Sequence, residues 1–151
     1  MLKAFAKVRA TDRQRRYRGA VLIEAAVVMF LFILLTFAMI EYGYLIYIMH
    51  TTTGAARTGV RNAIVAGSSS SSVQSAVDTV MTASGFTTSQ YTVQVDDKTT
   101  GNTSVDPASI PSGHDVAVHV KATWSNIGVT TIKLVDPSRV IDTVVVMRKE
   151  G

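Results

Sequence analysis

From Ala25 to Ile40 the chain carries sixteen consecutive uncharged, almost wholly apolar residues, and Glu24 is the only ionisable side chain between Ala20 and Ile40. A helix rises about 1.5 Å per residue, which sets Glu24 and Glu41 roughly 26 Å apart. A bilayer's hydrocarbon core is about 30 Å thick, so the two carboxylates can sit close to opposite interfaces. Tyr42, Tyr44 and Tyr47 follow, where amphipathic rings favour the headgroup level. Residues 20–49 therefore read as one transmembrane helix, with a helical extension over 50–66.

The charge is distributed to match. Residues 1–19 hold Lys3, Lys7, Arg9, Arg13, Arg15, Arg16 and Arg18 against Asp12, whereas the rest of the chain is slightly acidic within an overall charge of +4. Only Arg57 and Arg61 follow the apolar run closely. The positive-inside rule then keeps Arg15, Arg16 and Arg18 in the cytoplasm and sends the C-terminal part across the membrane. These cations already have a topological use, so a nucleic-acid-binding arm is disfavoured. An ordinary secretory signal is disfavoured too, because the apolar run exceeds the usual 7–15 residues and no small-x-small site closes it before Tyr42. The chain has no cysteine, which excludes disulfides, thiolate metal sites and cysteine catalysis.

Glu24 needs its own explanation. A carboxylate within a membrane helix costs about 2.5–3.5 kcal/mol at the centre and less near an end. One reading is a side chain snorkelling to the cytoplasmic interface, helped by the helix dipole. The residues before it suggest another. The run Arg15-Arg16-Tyr17-Arg18-Gly19-Ala20-Val21-Leu22-Ile23-Glu24 resembles the processing site of type IV prepilins. That resemblance implies cleavage between Gly19 and Ala20 by a prepilin peptidase, making 1–19 a basic leader and Glu24 the fifth residue of the mature chain. It further implies that Glu24 pairs with the amino terminus of a neighbouring subunit during assembly.

Residues Gly19–Ala63 resemble the TadE-like family of tight-adherence (Flp-type) pilus systems. The resemblance rests on Gly19-Ala20 through Glu24, on Ile40-Glu41-Tyr42-Gly43, and on the Ala/Arg-rich Gly54–Ala63. Val144–Glu150 is similar to the family's closing strand. Major Flp pilins are much shorter and carry tyrosine directly after the glutamate, where this chain has Ala25. The resemblance is thus to a TadE- or TadF-like minor pilin (pseudopilin), with Glu24 and Glu41 as assembly residues. It implies the prepilin peptidase, other pilins or pseudopilins, the inner-membrane assembly platform and membrane lipid as partners, in adhesion and biofilm formation. An uncleaved, single-pass anchored binding domain is the alternative, and it needs neither Gly19 nor Glu24.

Beyond the membrane the pattern predicts a small α+β domain over 73–151. Ala55, Gly59 and Ala63 form a small-residue stripe, read as a face buried against a sheet rather than a subunit contact. Gly67 and Ser68–Ser72 read as a break and a polar linker over 67–72. A helix is expected over Val73–Ala83, with Val73, Val77, Val80 and Met81 on one side and Gly85 at its end. Alternation at Tyr91, Val93, Val95 and again from Val116 to Trp124 predicts two strands. Val140–Met147 predicts a third, covered on both faces. Ser125–Asp136 reads as either a strand or a structured loop. The expected fold is an antiparallel sheet of about three strands on a long N-terminal helix, a pilin-like α+β arrangement.

The residues offer no catalytic chemistry. Asp96, Asp97 and Asp106 do not follow the EF-hand spacing and read as a solvated hairpin. His50, His114 and His119 lack metal-ligand spacing, and no nucleophile elbow or phosphate loop is present. The expectation is a non-enzymatic protein without a cofactor and without a nucleic-acid partner.

Overall fold

The computed structural model describes residues 2–128 and 135–150, and their side chains at 19, 21–128 and 135–150. The chain divides into two units, Met1–Ile40 and Glu41–Gly151. Helix α1 spans Leu2–Ala63 and supplies residues to both.

In the first unit, the helical side chains from Val21 to Ile40 lie almost wholly against solvent. Twenty helical residues cover about 30 Å, one hydrocarbon thickness. This is one helix long and apolar enough to cross a membrane, and its most apolar stretch is not buried within the protein.

The second unit is a small α+β domain. After the α1 residues come α2 (Ser70–Ala83), β1 (Tyr91–Asp97), β2 (Asp115–Thr123), α3 (Trp124–Ile127) and β3 (Val140–Arg148). The strands form one antiparallel sheet in the order β1-β2-β3, with Val93 opposite Val120 and Val118 opposite Val145. Leu45, Ile48, Ala55 and Ala56 of α1 join Val77 and Met81 of α2, Val120 and Trp124 in one apolar cluster. Val60, Ala63, Val73, Val95, Val116 and Val118 form another.

The small-residue stripe is buried as expected. A Cβ on Gly59 would stand 2.7 Å from Val77 Cγ2 and 3.2 Å from Val118 Cγ1, so only glycine admits α2 and β2 this close. Around Gly54 a Cβ would meet nothing within 4 Å. Two alanine substitutions on one helix should therefore have opposite signs. Gly59→Ala should cost about 1–3 kcal/mol through overpacking, and Gly54→Ala should stabilise by about 0.5–1 kcal/mol by restricting the unfolded chain. Amide exchange of β2 in the full chain reads both changes, and equal effects at the two sites would contradict the packing described.

The serine run is a linker only in part: 67–69 connect the helices, and Ser70–Ser72 already form the first turn of α2. Ser69 is the N-cap of α2, its hydroxyl accepting from Ser72 N–H at 3.3 Å while Ser72 Oγ accepts from Ser69 N–H at 3.1 Å. This reciprocal capping box satisfies two otherwise orphaned amide donors, and a Ser-x-x-Ser pair performs what Ser-x-x-Glu usually does. Ser68 and Ser72 hydroxyls also donate to Asn62 Oδ1, fastening the start of α2 to the end of α1. At the other end Gly85 adopts φ +87°, and Phe86 N–H and Gly85 N–H reach the carbonyls of Met81 and Thr82. That is a Schellman closure, sealed by the buried Phe86 ring.

Two strand expectations need correction. Trp124 does not extend β2: its N–H still bonds Arg139 O at 2.8 Å, but the chain then turns into α3. β3 is covered on one face only, with Val140, Val144 and Val146 exposed and Ile141 turned inward. It is an edge strand, and its β-branched run Thr143–Val146 imitates a doubly covered one. Of the ambiguous stretch Ser125–Asp136, α3 and the final residues are seen, and residues 129–134 lie outside the described ones.

Candidate functional site

The residues singled out by sequence fall into separate groups. Arg15, Arg16, Arg18 and the side chain of Ala20 lie outside the described side chains. Gly19 lies in α1, with nothing within 4 Å of where a Cβ would stand. Glu24 is exposed on the same helix, and no hydrogen bond or ion pair holds it among the described residues.

Glu41 is placed differently. It is only 1% exposed, one of the largest fully buried side chains of the domain. Its Oε1 accepts the Val135 N–H at 3.0 Å, while Oε2 is buried with no partner among the described residues. A buried carboxylate with one free oxygen carries a desolvation cost that hydrogen bonding offsets only in part. In this chain Glu41 joins α1 to the segment that leads into β3.

The aromatic residues expected at the headgroup level are largely part of the domain. Tyr44 stacks on Tyr47 at 5.9 Å and meets Trp124 edge-on at 6.3 Å. Tyr47 also stacks on Phe86 and donates its hydroxyl hydrogen to Ser84 O at 3.0 Å. Helical spacing accounts for this, since Tyr44 and Tyr47 flank the buried Leu45 and Ile48. Tyr42 alone of the three points away from these contacts.

The Asp-rich hairpin exposes 98–104 and Asp106 to solvent, as expected, but not its first two aspartates. Asp96 and Asp97 are both 4% exposed. Asp97 accepts from Thr99 N–H at 2.9 Å, from the Thr100 hydroxyl at 2.7 Å, and pairs with His114 Nδ1 at 2.9 Å. His114 foremost, and then these turn donors, hold the Asp97 carboxyl down at about 2 against burial. Burial draws the Asp96 carboxyl upward, but the Ser104 N–H, the Gln94 amide, His119 and Lys98 together leave it below the ordinary range. His119 lies between Asp96 Oδ2 at 3.2 Å and Asp142 Oδ1 at 3.1 Å, although the first approach lacks hydrogen-bond alignment. Sequence missed this network because Asp-x-Thr-Thr-Gly is also what an exposed turn looks like.

Lys149 was not anticipated at all. It is buried, and its Nζ donates to the Pro107 and Ile110 carbonyls at 2.5 and 2.6 Å, closing the C-terminal end of the sheet onto the Pro107–Ser109 turn. Its signal in the sequence, a lysine between Arg148 and Glu150 at a strand end, is indistinguishable from a solvated one. Among the described residues, no cluster of three or more His, Asp or Glu is arranged to hold a metal ion. These polar groups fasten loops to the sheet.

No curated protein and no solved structure matches this chain. Residues 19–61 match the family model described as TadE-like protein. The match begins at Gly19, runs through Glu24 and Glu41, and takes in Gly59. Over residues 19–61, from the apolar helix into the part of α1 that packs in the domain, this chain is therefore similar to TadE-like proteins.

Proposed function

We propose that this chain is a pseudopilin of a tight-adherence pilus system, anchored in the bacterial inner membrane with its N-terminus cytoplasmic and its α+β domain outside. A prepilin peptidase removes residues 1–19, and the mature subunit joins other pilins or pseudopilins on the assembly platform, in support of adhesion and biofilm formation. The observation that carries this reading is the coincidence of three features at one place. The family match starts at Gly19, the sequence turns apolar from Ala20 with side chains that face solvent over Val21–Ile40, and that stretch holds one carboxylate, Glu24, which has no partner among the described residues. A plain anchor requires only the second.

The chemistry agrees with the roles. Glycine presents an unobstructed backbone to a peptidase and weakens the helix at the cut. Cleavage would create an α-amino group four residues before Glu24, and opposite charges in a low dielectric offset each other's desolvation. Of the assembly residues expected from sequence, Glu24 keeps that role in this reading. Glu41 serves assembly indirectly, by holding the domain on the helix that other subunits meet.

Fractionation and protease protection test the placement. The chain should sediment with inner membranes and resist alkaline extraction. Protease added to spheroplasts should remove the domain and spare the membrane-embedded helix. A chain released by alkali, or a domain protected in spheroplasts and digested only after lysis, would overturn it.

A further inference from the structure

The two edges of the sheet are finished differently. On β1, Val95 O accepts from Val105 N and Asp97 N donates to Asn102 O, both at 2.9 Å, so residues 102–105 close much of that edge. No such closure meets the outer edge of β3 among the described residues. The bonds at its two ends fix the direction of its amides: Arg139 O accepts from Trp124 N, and Lys149 N donates to His114 O. Odd-numbered residues thus face β2, and by the alternation of an antiparallel ladder Asp142, Val144, Val146 and Arg148 turn their N–H and C=O groups outward. Their side chains share the solvent face, where Val144 is 41% and Val146 47% exposed. The stretch has no proline, no lysine and no bulge, the usual guards of a free edge.

We propose that the outer edge of β3 is a strand-addition surface for an extended segment of another protein. The charges state what kind of segment. Asp142 and Arg148 bracket Val144 and Val146, so an antiparallel guest sets an acidic residue opposite Arg148 and aliphatic residues opposite the two valines. A basic residue then stands opposite Asp142. Asp142 already lies 3.1 Å from His119 and 3.9 Å from Lys121, yet is 39% exposed and keeps capacity for another donor.

A second copy of the chain is not the guest, although its β3 could match the same charges. α1 runs alongside β3 in the same direction, since Leu45 and Ile48 share a cluster with Ile141 while Val60 and Ala63 pack with Met147. Antiparallel pairing of two β3 edges would turn the two α1 helices against each other. Chains anchored through their N-terminal helices in one membrane arrive with α1 pointing the same way. Only this exclusion rests on the anchored reading; the open edge does not.

The test uses the full chain in detergent micelles with two probes, the peptide Glu-Thr-Val-Thr-Val-Thr-Lys and its charge-reversed form Lys-Thr-Val-Thr-Val-Thr-Glu. In the free chain the amides of Asp142, Val144 and Val146 should exchange freely. The first peptide should protect them at least about tenfold and bind at least about threefold tighter than the second. Val144→Lys should weaken binding at least about tenfold and Val144→Thr should retain it, with unchanged protection of β2 in both showing that the domain is folded. Amides already protected in the dilute free chain would mean a covered edge and overturn the proposal. So would absence of saturable binding at about 1 mM, equal binding by Val144→Lys, or protection that grows with the chain's own concentration and no peptide.

Discussion

Replacing Trp124 with alanine should lower the stability of the domain by about 3–5 kcal/mol, the largest effect expected of any single side chain here. Trp124 is fully buried and is the largest such residue in the protein. It joins elements distant in sequence: Tyr44 of α1 packs edge-on against its ring, Val120 and Ile141 lie in the same cluster, and α3 starts from it. Gly128 closes over the indole so tightly that a Cβ there would stand 2.4 Å from Trp124 Cε2. The cavity left by alanine could not be filled by relaxation of one neighbour, because its walls belong to a helix and two strands. Trp124→Phe keeps most of the volume, and it also removes an indole N–H that has no partner among the described residues, so its cost should be less than half as large. Amide exchange of Val118 and Val120 in the full chain measures both. A Trp124→Ala chain within about 1 kcal/mol of the parent would show that the indole does not organise this core.

Glu24→Ala should leave insertion intact and reduce recovery of the chain with its pilus partners at least tenfold, about 1.4 kcal/mol or more in association. Insertion survives because removing a carboxylate from an apolar helix lowers a cost of up to about 2.5–3.5 kcal/mol. Assembly suffers because the arriving amino terminus loses the one exposed acidic group within the apolar segment. Glu24→Gln separates charge from hydrogen bonding: it keeps an acceptor and should fail nearly as badly if pairing with an ammonium matters. Co-purification from membranes, with the domain's amide protection as a folding control, reads both variants. Normal recovery of Glu24→Ala would leave snorkelling as the better explanation of this residue.

How much was legible in the sequence depended on whether a pattern had one physical meaning. The apolar run, the period-two strands and the small-residue stripe at Ala55, Gly59 and Ala63 each reflect a single constraint, and the structure has the helix, the three-stranded sheet and the buried face they imply. Serine had two meanings, since a run of it suits a linker and also caps a helix, and tertiary bonds to Asn62 favoured the cap. Valine in β3 had two as well, because a β-branched strand forms equally well at an edge and in a covered position. The buried polar groups were the least legible. Asp96, Asp97, Glu41 and Lys149 look like surface residues in sequence; turn donors close by serve the two aspartates, and partners 17 to 94 residues away complete the burial of all four. The candidate assembly segment differs in being contiguous: Gly19 through Glu24 stand together in the chain, and the family match takes in all of them.

The most direct measurement is the intact mass and N-terminal sequence of the chain recovered from cells with an active prepilin peptidase, beside a Gly19→Ala control. The expected product begins at Ala20, with the control left whole. A parent chain that keeps its residues 1–19 in the presence of that peptidase would contradict the prepilin reading and leave a single-pass anchored domain.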